Sequence, residues 1–182
     1  PGDQHVPDGD DTVIPWNKVS PISTRNLVLK SRRTLGIIDQ AFVVHFVSGN
    51  PDALGSTSLA QIDAVVDADV KGYLYLLREL IHAFRKQATG TIACIAHRPE
   101  ELSSVGCSVF EGFVGLVESL LTSSASEPFT LNGYVSESAN LADFAQFIYS
   151  GNEEQSPKTR GRWQRYTGRA GIFSALPFSG RR

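Results

Sequence analysis

The amino-acid sequence predicts a three-layer α/β domain, a parallel sheet with helices on both faces. Two observations predict it. Three short apolar runs, AFVVHFV (41–47), GTIACIA (90–96) and PFTLNGYV (128–135), carry no formal charge and are rich in β-branched or aromatic residues. That composition suits strands buried on both faces. Between them stand two long helical patterns, one from about 59 to 86 and one from about 108 to 124. Strands that alternate with helices build a parallel sheet.

Taken in order, TVIPW (12–16) reads as a short strand. PISTRNLVLKSRRTLG (21–36) reads as a helix, with Ser23 as its N-cap and Gly36 as its terminator. NLADFAQFIYSG (140–151) reads as a late helix that buries Leu141, Phe144, Ala145 and Ile148 and ends at Gly151. NEEQSPKTRGRWQR is a loop by composition, and GRAGIFSALPF returns as a last edge strand.

The two central helices are unusually apolar. On the first, Val66, Val70, Tyr73, Leu74, Leu77, Leu80, Ile81 and Phe84 form one broad stripe; the second leaves only Glu111, Glu118 and Ser119 clearly polar. A helix on a sheet needs one apolar stripe. Two neighbours that exceed it point to a second covered surface, a homo-oligomer interface built from Tyr73, Leu77, Leu80, Phe84, Phe110, Phe113, Val117 and Leu120. The plainer alternative places both helices centrally in one monomer.

A chain of 182 residues makes one domain of ordinary size. A net charge of −2 argues against nucleic-acid binding by the whole surface. The charge is uneven, and it divides the chain into an acidic, flexible N-terminus (1–11, with Asp3, Asp8, Asp10 and Asp11), a main domain (12–156) and a basic, aromatic C-terminal segment (157–182). Cys94 and Cys107 form no metal or redox spacing, no apolar run approaches the roughly 20 residues of a membrane span, and the first residues do not resemble a secretory signal. A reducing cytoplasm is the expected location.

In motif order the chain resembles the short-chain dehydrogenase/reductase family from about Val13 to Gly171. IDQAFVVHFVSGN (38–50) looks like the family's fourth strand and the turn after it. VVDADVKGYLYLLRELIHAF (65–84), with Lys71 and Gly72, looks like the next helix, and GTIACIAH (90–97) like the fifth strand. GLVESLL (115–121) resembles the end of the active-site helix; DFAQFIYSG (143–151) and YTGRAG (166–171) resemble the closing helix and strand. The resemblance implies a Rossmann-like fold, a nicotinamide cofactor, hydride transfer at a carbonyl or hydroxyl carbon, and dimers through the two apolar helices. It also implies that the first β-α-β unit, with its Gly-rich phosphate-binding turn, has no counterpart in this sequence. GNPDALG (49–55) has two glycines but not the strand–turn–helix setting of such a loop.

The chemistry is not carried over. The family's active-site Asn falls at Asp69, its Ser at Ala96 or His97, and its Tyr-x-x-x-Lys at Gly106 and Phe110. No shift restores the pair, because no tyrosine lies between Tyr75 and Tyr134 and no lysine between Lys86 and Lys158. Glycine and phenylalanine supply neither a proton nor a charge.

Other candidate sites are sparse. His97, Asp69 and Cys107 are the catalytic candidates, His97 because it ends a strand where open α/β sheets place ligands. His45 reads as a hydrogen-bonded core or edge residue and His82 as a helix rim residue. His5 and the N-terminal aspartates read as a solvated tail and not a metal site. The Arg and aromatic mixture around Trp163, Tyr166, Phe173 and Phe178 suits docking on protein better than binding nucleic acid. The sequence therefore predicts a catalytically degenerate dehydrogenase-like protein, a homo-oligomeric binding or assembly module with no cofactor, no metal and no membrane partner. Two alternatives stand beside it: an oxidoreductase-like enzyme working from a His97/Asp69 cleft, and a polyanion binder acting through the basic tail.

Overall fold

A computed structural model describes residues 13–47, 53–153 and 162–168. Helix α1 (Pro21–Leu35) is followed by β1 (Gln40–His45). A long helix then runs as α2 (Leu59–Val65), a π turn (Val66–Lys71) and α3 (Gly72–Gln87). After it come β2 (Thr91–His97), α4 (Ser104–Ser123), β3 (Thr130–Ser136), α5 (Leu141–Glu153) and β4 (Trp163–Tyr166). The four strands lie in the order β1-β2-β3-β4, all parallel. This is the expected three-layer α/β architecture.

Register decides which side chains share a face. Val43 pairs with Cys94, and Ile92, Cys94 and Ala96 with Leu131, Gly133 and Val135. These residues face α1, α3 and α4 and build the main core around Leu77, Phe84, Phe113 and Val117. The alternate set, Ala93, Ile95 and Tyr134, faces α5 and packs on Phe144 and Ile148. On that face α5 does not extend over β1, and Phe42 and Val44 stay 46% and 36% exposed.

Several sequence expectations need correction. TVIPW forms no strand over its described residues; Trp16 instead straps the segment onto α1, its indole N–H donating to Thr24 Oγ1 at 2.9 Å. The N-cap of α1 is Ser20, not Ser23. Pro21 occupies the first turn, where no N–H is needed, and the Ser23 N–H donates to Ser20 Oγ. Gly36 does end α1, at φ 76°. α4 begins at Ser104 behind a Ser103 cap, so Cys107 lies inside it. α5 runs past Gly151 to Glu153 and leaves Leu141 and Ala145 exposed; Gly151 is needed for close approach, since a Cβ there would lie 3.0 Å from the Tyr134 ring. WQR, read as loop, forms strand β4 together with Tyr166, which the resemblance had placed in the closing strand. GRAGIFSALPF (from residue 169 on), the N-terminal acidic stretch and residues 49–52 of GNPDALG lie outside the described residues.

The residues expected at an oligomer interface pack largely within the chain. Tyr73, Leu77, Leu80, Phe84, Phe110, Phe113 and Val117 are all buried inside the chain itself, and only Leu120 is partly exposed. The broad stripes arise because α3 and α4 lie in one layer, each packed on the sheet and on its neighbours. One helix, Ser104–Ser126, is long and apolar enough by composition to cross a membrane, yet its Val109, Phe110, Phe113 and Val117 face the sheet core.

Candidate functional site

In a parallel sheet the strand C-termini form the natural ligand edge. Here that edge gathers His45, His97, Ser136 and Tyr166 at the ends of the four strands. The sheet divides the candidates from one another. His97 follows the parity of Ala93 and Ile95, so it points to the α5 side, where its ring tilts against Phe144 and its Nε2 lies 2.9 Å from the Ser138 carbonyl. Asp69 and Cys107 belong to the opposite layer. Cys107 Sγ lies 4.0 Å from Arg98 Nη2, and Arg98 also pairs with Glu111 and covers the Phe110 ring. His97, Asp69 and Cys107 therefore do not converge on one cleft.

A group the sequence reading did not assemble surrounds Asp69. The π turn carries this carboxylate inward until its side chain is fully buried, 3.2 Å from Lys18 Nζ. Lys18 lies over the Tyr73 ring at 4.9 Å and beside Trp16 at 5.8 Å. Its partial burial disfavours the charge, but Tyr73 and Asp69 outweigh this and raise its pKa. Gly72 is what lets the segments meet: a Cβ there would sit 2.9 Å from Lys18 Cβ.

His45 completes the group. It stacks on Phe113 at 4.3 Å and touches Tyr73 at 4.7 Å, while the Tyr73 hydroxyl donates to the Val44 carbonyl at 2.8 Å. Burial drives the His45 pKa down to about 4, against the attraction of Asp69. The Asp69 main chain lies near the imidazole, but neither ring nitrogen makes a hydrogen bond of good geometry. His45 is thus a neutral core residue. The only sequence signal for this group was the Asp69 position itself; Lys18 and Asp69 are 51 residues apart.

The positions that the resemblance gives to the tyrosine and lysine are packed. Gly106 is buried, and a Cβ there would lie 3.1 Å from Val47 Cγ1, 3.3 Å from Leu102 Cδ2 and 3.3 Å from Ser103 Oγ. Phe110 is 3% exposed in the main core. Among the described residues no group of three or more His, Cys, Asp or Glu is placed to hold a metal ion.

No family model matches this sequence, and no curated protein matches it. Solved structures do match. The 3-ketoacyl-(acyl-carrier-protein) reductase from Brucella melitensis, complexed with NADH, superposes with a TM-score of 0.65 at 14% identity, over 84% of this chain and 75% of its own. The fold is that of the short-chain dehydrogenase/reductases. NADH-dependent reductase A1-R', complexed with NAD, gives a TM-score of 0.67 at 12% identity, over 83% of this chain and 71% of its own. A short-chain type dehydrogenase/reductase from Mycobacterium marinum gives 0.59 at 21% identity, and this chain spans 52% of its length. At these identities the likeness carries the dehydrogenase/reductase-like fold alone.

Proposed function

We propose that this chain is a catalytically degenerate, reductase-like binding module that holds a partner and does not transfer hydride. The observation that carries the reading is the packing at Gly106 and Phe110. Where the resemblance puts a proton donor, there is a glycine wedged among Val47, Leu102 and Ser103; where it puts a cation, there is a buried aromatic ring. Asp69, where the resemblance puts the active-site Asn, is paired with Lys18. A reaction needs an acid within hydrogen-bond reach of the substrate oxygen, and neither of these two positions supplies one.

Titration with NADH and with NADPH tests the reading, using a reductase of the same fold as the positive control. The expected result is no saturable rise in nicotinamide fluorescence and no thermal shift up to about 1 mM cofactor, the upper end of ordinary enzyme affinities. Saturable binding, or oxidation of NADH in the presence of a carbonyl compound, would sink the proposal in favour of an oxidoreductase with a non-standard site.

A further inference from the structure

Helix α1 carries Arg25, Lys30, Arg32 and Arg33 and no acidic residue. Its neighbour α3 adds Arg78, His82, Arg85 and Lys86 against a single acid, Glu79. We propose that the acidic segment 3–11 of this same chain folds back along α1 and docks its aspartates on this basic surface. Any other acidic ligand then reaches the surface only by displacing that segment. The contact is independent of the packing at Gly106 and Phe110.

Part of the positive charge has a plainer explanation. Arg32, Arg33, Arg85 and Lys86 stand in the last turns of their helices, where cations complement the helix dipole. Arg25, Lys30 and Arg78 stand outside those turns. Arg25 and Arg78 line a groove of about 390 Å³ between the two helices, together with Ile22, His82 and Glu79. Arg78 already pairs with Glu79, so that carboxylate is occupied. Lys30 lines a second hollow, of about 430 Å³, with Ile14, Pro15, Ile22 and Asn26. The exposed Ile22 borders both, so the two hollows flank one side chain. Arg25 and Lys30 enter no ion pair among the described residues.

Charge and place together select the occupant. Residues 1–12 hold Asp3, Asp8, Asp10 and Asp11 and no Lys or Arg. The described chain begins at Val13, and Ile14 and Pro15 already line the same hollow as Lys30. The aspartates are therefore tethered at the rim of the basic surface. Their reach is sufficient, since residues 3–11 span roughly 30 Å when extended. Helix α1, with 15 residues, is about 22 Å long. A single exposed ion pair contributes little. Several on one short tether act together, because the tether sets a high effective concentration. A diffusing acidic ligand lacks that advantage, and a net charge of −2 repels it from the chain as a whole. The basic residues of 157–182 are the rival within the chain, and the proximity of Ile14 to Lys30 favours α1.

The test is zero-length carbodiimide cross-linking of the full chain, mapped by mass spectrometry. The Lys71–Asp67 pair, held together by its helix, is the internal positive control. The expected product is an amide bond within one molecule between Lys30 and Asp8, Asp10 or Asp11. Its yield should fall at least tenfold in 1 M salt, where the Debye length is about 3 Å. Arg25→Glu should lower it at least threefold. A chain with Asp3→Asn, Asp8→Asn, Asp10→Asn and Asp11→Asn combined should show shifted amide NMR signals at Arg25 and Lys30. That chain should also bind poly-glutamate at least tenfold more tightly than the parent. Several outcomes would overturn the proposal: no Lys30 product while the control forms, a product at a lysine outside α1 such as Lys158, a product only between molecules, or equal poly-glutamate affinity of the two chains.

Discussion

The two faces of the sheet solve the burial problem differently. On one, α1, α3 and α4 cover every strand and enclose a continuous core in which Phe84 and Val117 are fully buried. On the other, among the described residues, α5 covers β2, β3 and β4 with a small cluster around Phe144, Ile148 and Tyr166. That second face also buries polar groups: Asn132 donates to Asn152 at 3.1 Å, and the Tyr134 hydroxyl and Gln164 amide lie beneath Gly151. Burial pushes the Tyr134 pKa up to about 12. The contrast teaches that stability is concentrated in the first face, while the second is thin, partly polar and open over β1.

Large-to-small changes on the two faces test this most strongly. Phe84→Ala removes a ring packed against Phe129 in the thick core and should cost about 3–5 kcal/mol in urea unfolding. Phe144→Ala sits in the thin layer, where α5 has fewer neighbours to hold the cavity open, and should fall at or below the lower end of that range. Equal losses, or a larger loss at Phe144, would break the contrast.

Much of the first face was legible in the sequence, and the reasons are physical. Uncharged β-branched runs gave β1, β2 and β3 to within a few residues; β2 and β3 are buried on both faces and have no solvent face to pattern, and β1 carries the same apolar run although Phe42 and Val44 are exposed. Broad helical stripes were legible as burial but not as to what buries them. Tyr73 and Phe113 look the same whether they meet a sheet, a neighbouring helix or a second subunit. The start of strand β4 was missed because Trp163, Gln164 and Arg165 follow a polar, arginine-rich run that resembles a loop by composition. The Lys18–Asp69 pair depends on a π turn, a one-residue insertion that leaves the apolar stripe intact. The separation of His97 from Asp69 and Cys107 was recoverable: His97 keeps step with Ala93 and Ile95, so two-residue periodicity already puts it on the other face from Cys94.

A smaller effect sharpens the comparison by pH. His45 belongs to the thick face, and its folded pKa of about 4 lies below the 6.5 of a free imidazole. Between those values the unfolded chain binds more protons, so stability is full above pH 6.5 and falls as pH drops toward 4. The His45 contribution to that fall is at most about 3 kcal/mol. Unfolding at pH 7 and pH 4.5 should show His45→Leu losing less stability than the parent chain. Parallel losses in the two proteins would mean that His45 accepts a proton in place.

The smallest effect concerns the open part of the thin face. Phe42 contributes a large apolar side chain, yet it is nearly half exposed among the described residues. If that surface is bare in the folded chain, Phe42→Gln should change unfolding stability by no more than about 0.5 kcal/mol, as surface substitutions do. The comparison with Phe84 is then a comparison of layers and not of residue types, since both are phenylalanines on neighbouring elements of one fold. A loss of 2 kcal/mol or more, on the scale expected for a buried ring, would show that something covers β1 in solution. The thin face would then be as closed as the thick one.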